Sequence, residues 1–404
     1  MRILYLHQYF AFPNIHSSTR SYDLSKEFVK RGYKVIVITT TTKINDVDRR
    51  NKWNVIEREG IIFHVLTSDY SYKLSFIRRL FSFVYFMVNA SIRVLKIDCD
   101  FVLATSTPIS IGVPALAKNK FQKTPYIFEV RDVWPEVPVG MGYIRNKVLI
   151  KLLYAFEKNI YKNASYVVAL SDGMKSSISN RLNYNNIEVI PNISEIDRFQ
   201  NSVKSLDLKI EKDVLRKKII LYAGAFGSVN GIGYVAKMAK ELIMIDENIV
   251  FFLIGVGKEK EKITAYCHEN MLLNKNVFIF DPLPKGSLPY LYSICTLGSS
   301  FVIDNPVLWN NSANKFFDTL AAGKPVLINH KGWQAELIET ENIGYVLPPN
   351  IDKSDINRFV EYINNDNLIE IQRTNALKIA NQEFSLNVAV QKYMSIFDKI
   401  GKTV

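Results

Sequence analysis

The sequence is poor in cysteine, and its few cysteines follow no pattern. The 404 residues include three, Cys99, Cys267 and Cys295, which are odd in number and widely spaced. They match neither the spacing of a zinc site nor a disulfide framework, so we expect a reducing, cytoplasmic setting. The five histidines are scattered as well, and none pairs at a spacing typical of metal ligands. We therefore expect no metal and no bound cofactor.

Long apolar runs are also missing. A helix that spans a bilayer needs about 20 apolar residues, and the best candidate, residues 81–92, is interrupted by Ser82, Asn89 and Ser91. The first ten residues lack the ordered basic, apolar and cleavage regions of a secretion signal, so we expect a strand there. No repeat of 20–50 residues is visible, which argues against a solenoid.

Acidic residues are scarce in one half only. Residues 1–200 hold 28 Lys and Arg against 17 Asp and Glu, whereas residues 201–404 hold 23 against 22. A one-sided surplus of this size indicates an anionic partner of the first half, such as a phospholipid surface, a lipid diphosphate or nucleic acid. Ordinary surface lysines are the alternative.

The sequence is rich in apolar runs that alternate with helical patterns. This alternation predicts an α/β fold with parallel sheets, and the length predicts two domains. We expect an N-terminal domain over 1–195, a linker over 192–205, a C-terminal domain over 206–385 and a helix over 386–404 that returns to the first domain. Ligands of such folds bind at the carboxyl ends of the strands, here in a cleft between two sheets.

The stretch 311–326, NSANKFFDTLAAGKPV, carries the clearest functional pattern. It predicts a short helix that a Ser or Asn caps and that a glycine and a proline end. The N–H groups of such a helix start, with Lys315 beside them, suit a phosphate, and the carboxylate of Asp318 suits a ribose. The candidate donor-binding residues at this start also include Asn310, Asn311, Ser312 and Asn314.

Three further loops follow predicted strands of the second half. The segments AGAFGSVNG and IGVGKEK contain glycines that let a backbone approach a phosphate, and FDPLPKGSLP could clamp a flat base. Each pattern alone is weak, but their common place after strands favours one site. Its candidate donor-binding residues are Gly224, Gly227, Ser228, Gly255, Gly257 and Leu283.

In the first half, two loops carry candidate residues. Ser17 and Ser18 precede a predicted helix and could bind an anion or simply cap the helix. The segment FEVRDVWPEVP places four polar or aromatic candidates after a buried strand. We predict catalytic roles for Arg131 and Asp132, in addition to Lys315, with a structural Arg–Asp pair as the alternative for the first two. We predict acceptor or sugar contacts for Trp134 and Glu136, with a core role for Trp134 equally open.

These motifs carry a family resemblance over nearly the whole chain. Together with the opening MRILYLHQYF and with VIPN at 189–192, the segments FEVRDVWPE, LYAGAFG and KFFDTLAAGKPV resemble retaining family 4 glycosyltransferases of the GT-B fold. More narrowly, they resemble the bacterial O-antigen and capsule transferases that include N-acetyl-L-fucosamine transferases. The resemblance implies two Rossmann-like domains and an NDP-sugar donor, for which we expect a UDP-sugar. It implies metal-free transfer with retention at the anomeric carbon. It also implies a polyprenyl-diphosphate-linked glycan as acceptor.

The sequence departs from this family's pattern in three places. The family has two glutamates eight positions apart, where this chain has Asn310 and Asp318, and only Asp318 is carried over, as the ribose ligand. The family often has an Arg and a Lys in the first glycine loop, where this chain has Ala225 and Ser228 or Asn230. The charge of the diphosphate must then be met by Lys315, by loop and helix N–H groups or by Arg131, with Lys315 carrying more of it than in the common pattern. Where many members have a histidine after the fourth strand, this chain has Arg131 and Asp132.

The segment 70–96 mixes aromatic and basic residues, among them Lys73, Arg78 and Arg79. Such a helix can lie on an anionic membrane surface, and we expect these three residues to contact one. Binding of single-stranded nucleic acid and a plain core helix are the alternatives, and we expect no nucleic-acid partner. The location that follows is cytoplasmic and peripheral, on the inner face of the cell membrane.

The sequence leaves open a metal site at two acidic strings and two functions other than sugar transfer. The pairs Asp46/Asp48 and Asp98/Asp100 resemble a metal-binding DxD motif but lie outside the predicted donor loops. A UDP-sugar 2-epimerase would share the two-domain architecture. A non-catalytic nucleotide-sugar-binding subunit of an assembly complex would tolerate the missing glutamate and basic pair.

Overall fold

A computed structural model describes residues 1–44, 46–68, 75–201, 206 and 210–402, apart from the side chain of Phe76. The chain divides into two compact units. Unit 1 comprises Met1–Phe12, Ser17–Pro191 and the residues from Ala389 on, and unit 2 comprises Pro13–His16 and Asn192–Val388. Among the described helices, none combines the length and the apolar character needed to cross a bilayer.

Unit 1 is built on an eight-stranded sheet with the order β3-β4-β2-β1-β5-β6-β7-β8, in which only the β3–β4 pair is antiparallel. Its strands are β1 (Arg2–Leu6), β2 (Lys34–Thr40), β3 (Trp53–Arg58), β4 (Ile61–Leu66), β5 (Phe101–Thr105), β6 (Tyr126–Val130), β7 (Tyr166–Ala169) and β8 (Ile187–Val189). Its helices are α1 (Arg20–Lys30), α2 (Phe76–Val94), α3 (Gly112–Gln122), α4 (Glu136–Gly140), α5 (Lys147–Asn163) and α6 (Asp172–Leu182).

Unit 2 is built on a six-stranded parallel sheet with the order β11-β10-β9-β12-β13-β14. Its strands are β9 (Lys218–Ala223), β10 (Ile249–Ile254), β11 (Val277–Phe280), β12 (Leu297–Ser300), β13 (Val326–Ile328) and β14 (Gly344–Val346). The helices from residue 196 on are α7 (Ile196–Asn201), α8 (Ile232–Leu242), α9 (Lys260–Glu269), α10 (Leu288–Ile294), α11 (Asn314–Ala321), α12 (Trp333–Glu341), α13 (Lys353–Ile363), α14 (Asp366–Glu383) and α15 (Leu386–Gly401).

Both sheets reverse their strand order at one point, between β1 and β5 in unit 1 and between β9 and β12 in unit 2. Such doubly wound sheets bind ligands outside the carboxyl ends of their strands at the reversal. The central strands are buried on both faces, as the continuous apolar runs predict, whereas the edge strands β3 and β14 are partly exposed. The predicted two-domain α/β architecture is therefore confirmed.

The predicted linker 192–205 is wrong in its first part. Residues 192–201 belong to unit 2, and α7 lies within them. Three of their side chains donate hydrogen bonds to backbone carbonyls in and before α11: Asn192 to Ser312 at 2.6 Å, Ser194 to Phe317 at 2.9 Å, and Gln200 to Ala321 at 3.0 Å. The polar composition that suggested a linker instead serves to hold this segment along α11.

One buried carboxylate, Glu129 in β6, connects three elements of unit 1. Its Oε2 accepts hydrogen bonds from Nε of Arg20 in α1 at 3.0 Å and from the hydroxyl of Tyr393 in α15, and its Oε1 accepts one from the hydroxyl of Thr105. Burial by itself raises the pKa of Glu129, but the nearby charges of Arg20 and Arg131 and these hydrogen bonds lower it to about 2. The charge within this buried strand is thus compensated, and α15 is fastened to unit 1.

Candidate active site

Helix α11 in unit 2 begins without a side-chain cap. Its N-cap residue is Ala313, and no side chain makes the capping hydrogen bond, so the predicted Ser or Asn cap is wrong. The Oγ of Ser312 is buried and has no hydrogen-bond partner within the described residues. The helix is held from its other face, since Phe316, Phe317 and Leu320 are buried in one apolar cluster. The predicted end is correct, because Gly323 adopts a left-handed φ of +62°.

Lys315 lies at the second position of α11, beside the first glycine loop. Its Nζ is 5.0 Å from the ring centroid of Tyr222, and a Cβ on Gly224 would come within 2.9 Å of its Cε. Burial lowers the pKa of Lys315 to about 8, and the nearby Asp318 carboxylate opposes this shift. A cation held in this way, at the start of a helix and at the strand reversal, is placed to bind an anion.

Asp318 is paired with a lysine that the sequence patterns did not identify. Nζ of Lys285 is 2.5 Å from both carboxylate oxygens of Asp318, and both side chains are more than nine-tenths buried. Lys285 comes from the loop after β11, and its Nζ also lies 5.5 Å from the ring of Phe199 in α7. Each carboxylate oxygen has a second lone pair and can accept a further hydrogen bond. The contact with a ribose stays a prediction.

The glycines of the loop after β10 let it pack closely against the loop after β9. A Cβ on Gly255 would come within 1.8 Å of the Gly224 carbonyl oxygen, and one on Gly257 within 2.3 Å of the Phe226 carbonyl oxygen. The loops after β9 and β10 therefore lie directly against each other, with N–H groups of Gly224 and Phe226 donating across at 2.9 and 3.0 Å. The structure thus gives Gly255 and Gly257 a packing role that the sequence reasoning had not considered, while their contact with a donor stays a prediction.

The other predicted donor-binding residues of unit 2 are distributed around these loops. Ser228 is exposed and Gly227 half-buried, and the half-buried Leu283 packs against an apolar cluster that includes Phe199. The amide N–H of Asn311 donates to the Leu308 carbonyl, and its own carbonyl accepts from the Trp333 indole at 3.3 Å. Asn310 and Asn314 are half-buried on either side of it.

Several buried polar atoms around the start of α11 have no hydrogen-bond partner within the part of the chain that the structure describes. They are Asn192 Oδ1, Trp309 Nε1, Ser312 Oγ and Gln334 Nε2. His330, which follows β13, is buried here too, and its pKa is lowered by burial and by the charge of Lys315. Because buried polar groups are normally paired, this set favours a polar ligand or ordered water at the start of α11.

In unit 1, the structure brings Arg131 and Ser18 together. The Nη2 of Arg131 donates to the Ser18 Oγ at 2.9 Å, and the backbone N–H of Arg131 donates to the Ser106 Oγ at 2.9 Å. Ser17 is half-buried next to Ser18, and α1 begins at Arg20 without a side-chain cap. Three loops that follow β1, β5 and β6 thus meet at Arg131, through its backbone and its side chain, on the same edge as the strand reversal.

The rest of the RDVWPE segment is held in different ways. Asp132 is exposed, whereas Trp134 packs against the hydrophobic core of unit 1. Glu136 lies 3.5 Å from Arg181 and accepts a hydrogen bond from Ser177. The structure therefore supports the core alternative for Trp134 and gives Glu136 a structural partner, while their contacts with an acceptor stay predictions.

The acidic strings pair with arginines. Asp46 pairs with Arg58, Asp48 with Arg50 and Asp98 with Arg2. Within the described residues, no group of three or more His, Cys, Asp or Glu side chains is placed to hold a metal ion.

Two family models match the chain, one on each unit's principal segment. Residues 17–198 match the model described as Glycosyltransferase Family 4, and residues 203–382 match the one described as Glycosyl transferases group 1. The chain belongs to the GT-B glycosyltransferases. No curated protein sequence matches this glycosyltransferase.

Solved structures share the fold of this glycosyltransferase along their whole length. Sucrose-phosphate synthase from Thermosynechococcus elongatus has a TM-score of 0.75 at 13% identity, with all of both chains covered. HepE of Anabaena, in complex with UDP-glucose, has a TM-score of 0.70 at 15% identity, with 99% of this chain and 100% of HepE covered. WaaG, a glycosyltransferase involved in lipopolysaccharide biosynthesis, has a TM-score of 0.65 at 14% identity, with 96% and 98% covered.

The lowered pKa of Lys315 predicts a pH dependence of the glycosyltransferase. If the charged form of Lys315 binds the donor diphosphate, kcat/KM for the donor should be constant below pH about 8 and fall by up to about tenfold per pH unit above it. The value of kcat/KM falls at high pH because a lysine loses its charge as the pH rises through its pKa. In Lys315→Arg the decline should move to higher pH, since arginine stays charged. A wild-type profile that is flat up to pH 9.5 would contradict this role.

Proposed function

We propose that this glycosyltransferase moves a hexose, HexNAc or deoxy-HexNAc from an NDP-sugar to a polyprenyl-diphosphate-linked glycan, with retention at the anomeric carbon. The preferred donor is a UDP-sugar, and the pathway class is bacterial capsule or O-antigen synthesis. The observation that carries the donor part is the position of Lys315 beside Gly224, at the start of α11 and at the strand reversal of unit 2. The complex of HepE with UDP-glucose supports a uridine donor, and the pathway of WaaG supports a surface glycan.

The chemistry of this transfer needs stabilisation of the leaving nucleoside diphosphate. Lys315 supplies a positive charge and the first turn of α11 supplies aligned N–H dipoles, both fixed before the reaction. Asp318, oriented by Lys285, accepts from a ribose hydroxyl. The acceptor hydroxyl then attacks from the face that the diphosphate leaves. Arg131 and Asp132 are the proposed groups of unit 1 for contact with the sugar or acceptor.

A lipid-linked acceptor requires a membrane surface, and the proposed place of the enzyme is the inner face of the cell membrane. Arg78, at the start of α2, is exposed and Arg79 is half-buried. Lys73, the third predicted contact, lies outside the described residues. The basic surplus of residues 1–200 supports contact with an anionic membrane surface.

Thermal unfolding in the presence of EDTA tests the donor class and the metal independence together. A ligand that binds only the folded protein raises the free energy of unfolding by RT ln(1 + [L]/Kd), and the unfolding temperature rises with it. We expect a UDP-sugar at 1 mM to raise the unfolding temperature with EDTA present, and ADP- and GDP-sugars to raise it less. An NMR assay of the product should then show the anomeric configuration of the donor. A shift that requires added Mg²⁺, or an inverted product, would contradict the proposal.

A further inference from the structure

The outward side of α2 carries a continuous apolar stripe. Ile77, Phe81, Val84, Val88 and Ile92 are 43–72% exposed, and their spacing of three or four residues places them on one face of the helix. Leu80 and Tyr85 are exposed beside them. The opposite side of α2 is buried, with Phe86 and Ala90 in the core of unit 1. The stripe is therefore additional to the apolar face that the fold itself uses.

A second exposed apolar group lies on α5. Val148, Leu149 and Leu152 in its first two turns are 70%, 45% and 62% exposed. Tyr143, in the loop before α5, and Phe121, at the end of α3, are 63% and 77% exposed. Exposed large apolar residues in isolation are ordinary, but groups of them mark interaction surfaces.

The two groups belong to one layer of the fold. Helix α3 contacts both α2 and α5. Buried residues of the three helices, including Phe86 of α2, Leu116 of α3 and Ile160 of α5, pack in the same cluster with Leu4 and Val102 of the sheet. The three helices thus cover the same face of the sheet, and their outward sides form one surface, here named the α2–α3–α5 surface.

The charge of this surface has one sign. Within α2, α3, residues 141–146 and α5 the only acidic residue is Glu157, whose side chain is buried and paired with Arg181. The exposed bases of the same elements are Arg78, Lys120, Arg145, Lys147, Lys151, Lys158 and Lys162. Exposed apolar groups interspersed with bases, without exposed acids, match the interface of an anionic bilayer, where apolar side chains enter the acyl boundary and cations meet headgroups.

We propose that the α2–α3–α5 surface docks this glycosyltransferase on an anionic lipid bilayer, with the start of α5 as a contact in addition to α2. The inference deepens the proposed function, on which the need for a membrane rests, and it adds residues of α3 and α5 to the segment 70–96 that the sequence indicates. A second copy of the chain is a poorer occupant. In a symmetric dimer the same surface meets itself, so its bases would face bases without an acidic partner.

Sedimentation with lipid vesicles tests this surface in the absence of any nucleotide sugar. The full-length protein is mixed with vesicles of phosphatidylglycerol and phosphatidylethanolamine, and with vesicles of phosphatidylcholine alone. We expect strong binding to the first and weak binding to the second. Val148→Ser/Leu152→Ser and Lys147→Ala/Lys151→Ala should each lower the partition coefficient on anionic vesicles at least about tenfold. Each base near the surface contributes about fivefold, and full burial of a Val or Leu side chain contributes about tenfold or more.

Matched controls come from unit 2. Met244 and Met271 are 84% and 79% exposed, so Met244→Ser/Met271→Ser removes similar apolar area, and Lys237→Ala/Lys262→Ala removes two exposed bases. Both control variants should bind vesicles like the wild type. Circular dichroism should give the same unfolding temperature for all four variants, since the replaced side chains are exposed.

Two results would overturn the docking surface. One is that Val148→Ser/Leu152→Ser and Lys147→Ala/Lys151→Ala, the two α5 variants, both bind vesicles as strongly as the wild type, which would leave α2 as the contact. The other is a concentration-dependent dimer in light scattering that Val148→Ser/Leu152→Ser dissociates. Failure of the proposed function would look different, because wild-type protein would bind vesicles yet transfer no sugar to a detergent-soluble lipid diphosphate acceptor. If the docking surface and the proposed function are both correct, the α5 variants transfer sugar to that soluble acceptor at the wild-type rate.

Discussion

Replacement of Lys315 by alanine is expected to lower the kcat of sugar transfer about 100- to 1,000-fold, the usual effect of removing one preorganised group that stabilises a developing negative charge. The reason is its position beside Gly224 at the start of α11, where the family's basic pair in the first glycine loop is missing. The fold should stay intact, because burial disfavours the charge of Lys315 and its removal relieves that cost. Initial rates with a UDP-sugar, together with the unfolding temperature, measure both effects.

The matched control for this substitution is Lys237→Ala. Lys237 is an exposed lysine in helix α8 of the same unit, so its removal changes the net charge equally without touching the site. We expect its kcat to equal that of the wild type. Turnover within a factor of three of the wild type in Lys315→Ala would remove Lys315 from the donor site.

Replacement of Lys285 by methionine is expected to destabilise unit 2 by about 3–5 kcal/mol, the usual cost of leaving one partner of a buried ion pair uncompensated. Lys285 is the partner of both oxygens of Asp318, and both side chains are buried. Asp318→Ala should therefore also destabilise the fold. Denaturant unfolding measures the loss as a lower midpoint at an unchanged slope.

The double variant Lys285→Met/Asp318→Asn separates structure from function at this pair. It removes both charges at nearly constant volume, so it should recover most of the stability lost in Lys285→Met. Its affinity for UDP should nevertheless stay at least about tenfold below the wild type, because the ribose has lost the carboxylate that Lys285 orients. Wild-type affinity for UDP in the double variant would show that the pair is only structural.

The sequence predicted those parts of the fold that depend on local pattern. Buried parallel strands such as β2 and β10 are continuous apolar runs, and their order of appearance indicated two α/β domains. The edge strands β3 and β14 are partly exposed and lack such runs, so no apolar run in the sequence predicts them. Polar composition misled at 192–201, where side chains bind the carbonyls of α11.

The site was predictable only where its residues are neighbours in sequence. Lys315 and Asp318 stand in one motif, and Gly224 follows directly after a strand. The pairing of Lys285 with Asp318 joins positions 33 residues apart, and no local pattern announces it. The packing of Gly255 against Gly224 is also a product of two strands lying side by side. Contacts of this kind follow from the topology of the sheet, which a single sequence does not display.

Calorimetric titration of the wild type and of Lys315→Ala with UDP and with UMP, in EDTA, tests the central claim most directly. UDP and UMP share base and ribose and differ in the β-phosphate, which is the group that Lys315 is proposed to hold. We expect the wild type to bind UDP at least about tenfold more tightly than UMP, as expected for a charge-assisted hydrogen bond, and Lys315→Ala to lose this difference. An equal preference for UDP in both proteins would show that Lys315 does not hold the diphosphate.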